Sequence, residues 1–331
     1  MDDPVAKLED PGPASRIAAR TNPASNAPSF AQLDRGVLVD AKAYPGHVDG
    51  LATRLAAGET LGSRKWGCME VIICSDAVRV GEVAAAKAAR LASASGPGVV
   101  LGVATGSSPV RTFAELARLV DSGRLDLSQA SAFALDEYVG LPKGHSQSYH
   151  EVIRRTVTEP MHLDPARVHV PDGFAEDLPG ACEAYEQAIR AAGGVDIQFL
   201  GVGANGHIGF NEPTSSLSSR TRIKTLAERT RRDNARFFSS IDEVPRHCLT
   251  QGLGTIMDAH NIILVATGET KAHAIAQIVE GPVTAMYPGS VLQFHPHATI
   301  VVDEAAAAEL ALADYYRETY ANLPAWQRLA V

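Results

Sequence analysis

The strongest constraint on the fold is a regular alternation of apolar segments of strand length with amphipathic helical patterns, which begins at Met69. The predicted strands are Glu70–Ile73, Val99–Val103, Ser131–Leu135, Ile197–Val202, Ile262–Ala266 and Thr299–Val302. The predicted helices are Ala77–Ser93, Val110–Val120, Leu178–Ala192, Lys271–Val279 and Ala305–Tyr320. This alternation predicts an α/β fold, with a doubly wound, mostly parallel, Rossmann-like sheet and helices on both faces.

Residues 1–68 lack this alternation. Prolines are scattered through them, at Pro4, Pro11, Pro13, Pro23, Pro28 and Pro45. We therefore predict that residues 1–68 are a Pro-rich extension that is disordered or loosely packed, and that residues 69–331 form one α/β domain. An alternative is that translation starts at Met69, where the regular pattern begins.

Composition excludes several classes of protein. The net charge is −8 and no run of lysines and arginines is present, which argues against nucleic-acid binding. No segment approaches the ~18–20 apolar residues of a membrane helix. The four cysteines, Cys68, Cys74, Cys182 and Cys248, fit no zinc spacing, and the histidines are scattered. We expect free thiols in a cytoplasmic protein with no metal and no cofactor.

Two of the predicted strands end in loops that suit a ligand site. In an open parallel sheet, ligands bind outside the carboxyl ends of the strands. The first loop joins a strand to a helix with small residues and hydroxyls that would suit a phosphate: Thr105, Gly106, Ser107, Ser108 and Pro109. The second places the adjacent carboxylates Asp136 and Glu137 after a buried strand, where one of them could act as a general base.

Two further strand exits add a histidine and cations. His207 lies in a glycine-rich loop with Asn205 and Glu212 nearby, which favours an acid/base role. Lys271 stands at a helix start and Arg236 is a second candidate cation for an anionic ligand. Together these residues predict a metal-free acid/base enzyme whose partner is a small molecule, a sugar phosphate.

The same segments resemble those of glucosamine-6-phosphate deaminases, in the glucosamine/galactosamine-6-phosphate isomerase family. The resemblance rests on residues 105–109, 135–142, 148–150, 205–213, 218–225, 252–255 and 292–296, with sequences TGSSP, LDEYVGLP, SYH, NGHIGFNEP, SSRTRIKT, GLGT and LQFHP. The matches run in family order from about Met69 to near the C-terminus. Residues 1–68 lie outside them.

The resemblance implies the conversion of glucosamine 6-phosphate and water into fructose 6-phosphate and ammonia. Asp136 would move a proton between C2 and C1 of the open-chain sugar, and His207, supported by Asn205 and Glu212, would open the ring. The residues implied in substrate binding are Thr105, Gly106, Ser107, Ser108, Glu137, Arg236 and Lys271. Binding of the phosphate would then position the reacting carbons.

Some details of the family pattern differ here. Some family members carry Asp at position 205, so Asn205 leaves Glu212 as the anionic partner of His207. Ser215, Arg222 and Lys224 match residues that bind the allosteric effector N-acetylglucosamine 6-phosphate in some relatives. Because that site also uses the chain start, the long N-terminal extension makes retention of the effector site an open question. A homo-oligomer is expected, since relatives are often hexamers and sometimes monomers.

Two alternative functions remain at this stage. A 6-phosphogluconolactonase would share the fold and the phosphate site but would need no enolising base at Asp136. A sugar-phosphate sensor domain of a transcriptional regulator would need a basic helix-turn-helix near one terminus, and residues 1–68 are too rich in proline for one.

Overall fold

The computed structural model describes residues 30–33, 37–40, 69–142 and 144–329. The chain divides into two units, Met1–Lys65 and Trp66–Val331. In the first unit, strands β1 (Phe30–Leu33) and β2 (Val37–Asp40) pair antiparallel. The predicted disorder of residues 1–68 otherwise lies outside the described residues.

The second unit alternates strands and helices, as the sequence predicts. Its strands are β3 (Glu70–Cys74), β4 (Val100–Val103), β5 (Ser131–Ala134), β6 (Asp136–Tyr138), β7 (Val168–His169), β8 (Ile197–Leu200), β9 (Arg222–Thr225), β10 (His247–Thr250), β11 (Asn261–Ala266) and β12 (Ala298–Asp303). Its α-helices are α1 (Ala77–Ser95), α2 (Val110–Asp121), α3 (Tyr149–Ile153), α4 (Leu178–Ala191), α5 (Glu228–Asn234), α6 (Leu253–Met257), α7 (Ala272–Val279) and α8 (Ala313–Ala321).

Seven strands form one parallel sheet in the order β3-β12-β11-β8-β4-β5-β7. From β4 the chain moves outward through β5 to β7. From β8 it moves outward in the other direction, through β11 to β12. The strand order therefore switches between β4 and β8, and the crevice outside their carboxyl ends is where an open α/β sheet binds its ligand.

Apolar side chains cover both faces of this sheet. Alternate residues of one strand enter opposite cores, so that Ile262 and Leu264 belong to one and Ile263 and Val265 to the other. Helices α4, α6 and α7 cover the first core, and α1 and α2 cover the second. This arrangement confirms the predicted doubly wound fold. None of the described helices is both long enough and apolar enough to cross a membrane.

A second, three-stranded antiparallel sheet lies in the order β6-β10-β9 and was not predicted from the sequence. Its strands have three or four residues each, too few for a clear period. The chain passes from the main sheet to this one at Leu135, between β5 and β6. Asp136 therefore opens a new strand at the carboxyl end of the main sheet.

The last predicted helix, Ala305–Tyr320, is wrong in its first half: α8 begins at Ala313. The Asp303 carboxylate accepts the backbone N–H of Ala306 at 2.8 Å, which closes a turn directly after β12. The Glu280 carboxylate then accepts the N–H groups of Ala311 and Leu312 at 2.8 and 2.9 Å. Because the N–H groups of Ala311 and Leu312 bond to a side chain and not to a carbonyl four residues earlier, no continuous helix runs through this stretch.

Candidate active site

The loop between β4 and α2 lies at the switch point of the main sheet. No side chain caps the N-terminus of α2, and Gly106 has a φ of +91°, which glycine adopts without strain. A Cβ placed on Gly201, at the end of β8, would lie 3.6 Å from the Cβ of Ser108. The uncapped helix N-terminus and the hydroxyls of Thr105, Ser107 and Ser108 therefore belong to the crevice between β4 and β8.

Asp136 is buried at the first position of β6, with 5% of its surface exposed. Burial, reinforced by the neighbouring carboxylate of Glu137, raises its pKa from the ordinary value to about 8. A buried carboxylate disfavours its ionised form because no solvent stabilises the charge. A pKa near neutrality suits a group that must both take and return a proton.

Glu137 points into a different environment. Its Oε1 accepts the N–H groups of Tyr138 and Tyr149 at 2.7 and 2.9 Å, and its Oε2 accepts the N–H of His150 at 2.9 Å. Burial raises its pKa, and these three bonds oppose the rise. The carboxylate thus fixes the start of α3 against β6, while its predicted contact with substrate stays a prediction.

The loop after β8 holds His207 in a position that only glycine at 203 allows. A Cβ on Gly203 would lie 2.2 to 2.5 Å from three atoms of the imidazole ring. The loop is closed by the N–H of Gly203 donating to the carbonyl of His207 at 2.9 Å. The Nδ1 atom of His207 lies 3.6 Å from Oε2 of Glu212. The glycines predicted to let the backbone turn here also make room for the ring.

Glu212 is the carboxylate that faces this imidazole. Its Oε2 accepts the side-chain amide of Asn205 at 2.7 Å, and its Oε1 accepts the hydroxyl of Thr230. Burial alone would raise its pKa, but His207, Thr230 and Asn205 outweigh burial and lower the pKa to about 2. Glu212 is therefore ionised at neutral pH, and Asn205 orients it by hydrogen bonding, without charge.

The His207 loop lies against Asp136. A Cβ on Gly209 would lie 3.6 Å from Oδ2 of Asp136 and 3.0 Å from Oγ1 of Thr250. Thr250 pairs with Asp136 across β10 and β6, and its hydroxyl accepts the N–H of Phe210 at 3.1 Å. The structure thus brings the predicted base and the histidine loop to the same end of the main sheet.

The two predicted cations lie near each other beyond α5. Burial lowers the pKa of Lys271, and the positive charge of nearby Arg236 adds to this effect while Asp233 opposes it. The Arg236 guanidinium lies over the ring of Phe237, 4.7 Å from its centre. The charges of Arg236 and Lys271 thus act on each other, and two such cations would suit a dianion.

The effector candidates lie elsewhere. Arg222 and Lys224 are alternate residues of β9, so they share one face of that strand, and β10 separates β9 from the strand of Asp136. Ser215 is buried, and its hydroxyl has no hydrogen-bond partner among the described residues. One strand therefore separates Arg222 and Lys224 from Asp136, whereas Ser215 lies close to Glu212, since its N–H donates to the Glu212 carbonyl at 3.1 Å.

The parts of the site are connected by residues to which the sequence assigned no role. Thr230 bonds Glu212 from α5, and Tyr149 places its hydroxyl 3.4 Å from that of Tyr138 and close to the Thr105 side chain. Asn234 donates to the Tyr138 hydroxyl at 2.9 Å. No local pattern marks Thr230 or Asn234, because both sit in a charged, seven-residue helix.

The described residues contain no group of three or more His, Cys, Asp or Glu side chains placed to hold a metal ion. What they offer is a buried carboxylate with a pKa near neutrality, an imidazole paired with an ionised carboxylate, a helix N-terminus and two cations. That set can move protons on a molecule whose anionic group is held nearby.

Comparisons with known proteins agree with this geometry. Residues 76–301 match the family described as glucosamine-6-phosphate isomerases/6-phosphogluconolactonase. The chain is 60% identical to a glucosamine-6-phosphate deaminase of Pseudarthrobacter chlorophenolicus over 78% of this chain and 99% of that protein. It is 62% identical to one of Cutibacterium acnes, over 76% and 96% of the two chains.

Solved structures show the same fold. A monomeric glucosamine-6-phosphate deaminase superposes with a TM-score of 0.71 at 39% identity, covering 73% of this chain and all of that one. The 6-phosphogluconolactonase of Trypanosoma brucei superposes with a TM-score of 0.61 at 19% identity, over 74% of this chain and all of that one, and so shares the fold alone. The chain therefore belongs to the family of glucosamine-6-phosphate isomerases and 6-phosphogluconolactonases, and within it to the glucosamine-6-phosphate deaminases.

Proposed function

We propose that this protein converts glucosamine 6-phosphate and water into fructose 6-phosphate and ammonia. The observation that carries the proposal is the buried Asp136, whose pKa of about 8 lies close to neutrality, beside the His207 loop at the switch point of the sheet. The high identity to proteins named glucosamine-6-phosphate deaminase supports the same reaction.

The first step assigned to the site is ring opening. His207 in its protonated form donates a proton to the ring oxygen as the bond between C1 and the ring oxygen breaks. The neutral imidazole then accepts the proton of the C1 hydroxyl as the C1 carbonyl forms. Glu212 stabilises the protonated imidazole because it is ionised and lies 3.6 Å from Nδ1. Asn205 and Thr230 hold the carboxylate in place through its two oxygens.

The second step is proton transfer between carbons. Asp136 in its ionised form removes the proton from C2 of the open-chain sugar while the C1 carbonyl oxygen takes up a proton, which gives an enolamine. Asp136 then returns its proton to C1 as the amino group loses one, so that overall the C1 oxygen gains the proton that the nitrogen loses. The product is an imine at C2, which water hydrolyses to the ketone and ammonia. Because the site is buried, the proton stays on Asp136 between the two transfers instead of exchanging freely with solvent.

The phosphate supplies binding energy that positions the reacting carbons. The N-terminus of α2, the hydroxyls of residues 105–108, Arg236 and Lys271 form its binding site in this proposal. Support comes from the electrostatic effect of Arg236 on Lys271 and from the uncapped helix at the switch point.

A lactonase is the alternative with the same fold. It hydrolyses an ester and requires no carboxylate at C2, whereas here Asp136 is buried at a cost in free energy, for which a role in proton transfer gives a reason. The test measures ammonia and fructose 6-phosphate from glucosamine 6-phosphate, and acid from 6-phosphogluconolactone. We expect ammonia from wild type and a loss of about 10²–10⁴-fold in Asp136→Asn. Lactone hydrolysis without ammonia release would contradict the proposal.

Three further properties are proposed. We infer that Ser215, Arg222 and Lys224 bind N-acetylglucosamine 6-phosphate, since two cations share one face of β9. Ammonia release measured with and without that compound, in wild type and in Arg222→Ala, tests this inference.

A homo-oligomer stays a prediction that light scattering of the purified protein tests. A cytoplasmic location is consistent with the three described cysteines, which are buried free thiols.

A further inference from the structure

The segment 226–246, which connects β9 to β10, contributes to the candidate active site from outside the main sheet. Thr230 on this segment bonds Glu212, and Asn234 donates to the Tyr138 hydroxyl at 2.9 Å. Arg236 lies on it as well, directly after α5. The placement of this segment therefore decides whether two groups are in position. One is Glu212, the partner of His207, and the other is Arg236, a candidate phosphate-binding residue.

One buried carboxylate, that of Glu186 on α4, binds the chain on both sides of this segment. Before β9, Thr221 donates to Oε1 through its N–H at 2.9 Å and its hydroxyl at 2.5 Å. After β10, Thr255 on α6 donates its hydroxyl to the same oxygen at 2.6 Å. The chain that enters the segment and the chain that leaves it thus meet at a single oxygen atom.

The second oxygen of Glu186, Oε2, accepts hydrogen bonds from the guanidinium of Arg220. Arg220 donates to Oε2 through Nη2 at 2.6 Å and Nε at 3.1 Å, and through Nη1 it reaches Asp258 at 2.6 Å. Glu186 is 6% exposed, so its charge is held by these donors and hardly by water. The hydrogen bonds outweigh burial and lower its pKa, which keeps it ionised.

Glu186 is also adjacent in the chain to Tyr185, which binds the strand that leads to the catalytic base, Asp136. The hydroxyl of Tyr185, the preceding residue on α4, donates to the carbonyl of Ala134 at 2.7 Å, two residues before Asp136. Helix α4 packs into the main core through Tyr185 and Ile189. Adjacent residues of one helix therefore bind two parts of the site. Tyr185 binds the strand that leads to Asp136, and Glu186 binds the chain at both ends of the segment.

We propose that Glu186 is a positioning residue for the reaction: it holds segment 226–246 over the site at the distance that productive binding requires. The mechanism gives it no contact with the sugar. The proposal rests on the proposed function in that Arg236 is taken as a phosphate ligand. A shift of about 1 Å in a positioning element is sufficient to change turnover substantially.

The test uses two variants with different defects. Glu186→Gln keeps Oε1 for the threonines but turns an N–H group toward Arg220. Thr255→Val leaves Glu186 ionised and removes the bond on the exit side. Glu183→Gln is the matched control, since Glu183 is exposed on the same helix. For each protein we measure KM and kcat for ammonia release, binding of fructose 6-phosphate, and hydrogen exchange of the backbone amides.

We expect KM to rise on the order of tenfold in both variants, with a smaller fall in kcat and weaker binding of fructose 6-phosphate. Amides of residues 226–246 should exchange faster, while those of β8, β11 and β12 should not change. Glu183→Gln should match wild type. A residue that only stabilises the fold would lower the melting temperature and leave KM and segment exchange unchanged, and that result overturns the proposal.

Further controls keep the other outcomes informative. If both buried variants fail to fold, Arg220→Met decides, because Arg220 is partly exposed and its loss removes both bonds to Oε2. Asp258→Asn controls for the other partner of Arg220. If Arg220→Met leaves KM and segment exchange as in wild type, the proposal fails. If wild type releases no ammonia, the proposed function fails, while segment exchange and fructose 6-phosphate binding still test Glu186.

Discussion

At the scale of single residues, the site depends on two carboxylates whose pKa values are moved in opposite directions. Among the described residues, no hydrogen-bond donor offsets the burial of Asp136, so its pKa rises to about 8. Glu212 is also buried, but its donors and the nearby imidazole lower its pKa to about 2. One carboxylate can therefore exchange a proton near neutral pH, and the other remains an anion.

The Asp136→Asn variant should be more stable than wild type at neutral and higher pH. Between pH 4 and 8 the unfolded chain releases the proton of Asp136 while the folded chain keeps it, so wild-type stability falls as pH rises toward about 8. The variant lacks this loss and should gain about 1–3 kcal/mol at pH 8. Urea unfolding of both proteins at pH 5, 7 and 8 measures the difference, and a difference that does not grow with pH would contradict the raised pKa.

The same titration predicts how activity depends on pH. The base must be ionised to remove the C2 proton, so kcat/KM for ammonia release should rise with pH and level off above about 8. Glu137→Gln removes a charge that raises this pKa, so the rise should move to lower pH. Initial rates between pH 5.5 and 9.5 test this, and an unmoved profile in a folded variant would show that Glu137 does not act on Asp136.

Glu212→Gln tests the anionic partner of His207. The variant keeps an oxygen for Thr230 or Asn205 but cannot stabilise a protonated imidazole by charge, since position 205 is already an amide. We expect turnover to fall by about 10–10²-fold, with a changed pH profile. Asn205→Ala is the comparison variant, because it removes the hydrogen bond that orients Glu212 and keeps the negative charge of Glu212. Unchanged turnover and an unchanged pH profile in Glu212→Gln would reject the assigned role.

At the scale of elements, the sequence predicted those parts of the fold whose pattern is long enough to read. Most strands of the main sheet are buried on both faces, and their apolar runs mark them directly, as at Ile262–Ala266. The two-residue edge strand β7 is only partly buried and has no such run. The loops after β4 and β8 were identified from small and polar residues at the strand exits. The site at the switch point follows from their topology.

The antiparallel sheet and α5 could not be predicted for a physical reason. Strand β9 alternates Arg222, Ile223, Lys224 and Thr225 over four residues, and β6 consists of three. Their pairing is decided by contacts with distant segments, such as that of Thr250 with Asp136. The same holds for Thr230 and Glu186, whose roles depend on partners 18 to 69 residues away.

Gly203→Ala tests whether the loop after β8 is built around the imidazole. A Cβ at this position would overlap the ring of His207, with atoms as close as 2.2 Å. We expect the ring to be displaced and turnover to fall at least 10²-fold, because a catalytic group moved by about 1 Å loses much of its effect. Gly98→Ala is the control, since nothing lies within 4 Å of its Cβ. Normal turnover in Gly203→Ala would show that the ring is not fixed by this contact.

At the scale of the whole molecule, the catalytic parts belong to the unit Trp66–Val331. Relatives that match the chain are themselves about this long: one from an Arthrobacter strain is covered completely by 261 aligned residues, which is 79% of this chain. All the contacts that define the candidate site join residues between 105 and 271.

A protein that begins at Met69 should therefore fold and release ammonia with kcat and KM within about twofold of the full chain. The expectation follows because strand β3 starts at Glu70 and pairs with β12 over its whole length, so the truncation leaves the main sheet complete. The comparison should be made with and without N-acetylglucosamine 6-phosphate, since the two chains differ at the start, where the resemblance places part of the effector site. Activation of the shorter protein alone would mean that residues 1–68 interfere with the effector site, and equal activation would mean that they do not. Loss of folding or of basal activity in the shorter protein would show instead that the first unit contributes to the stability of the second, against the expectation drawn from the length of the relatives.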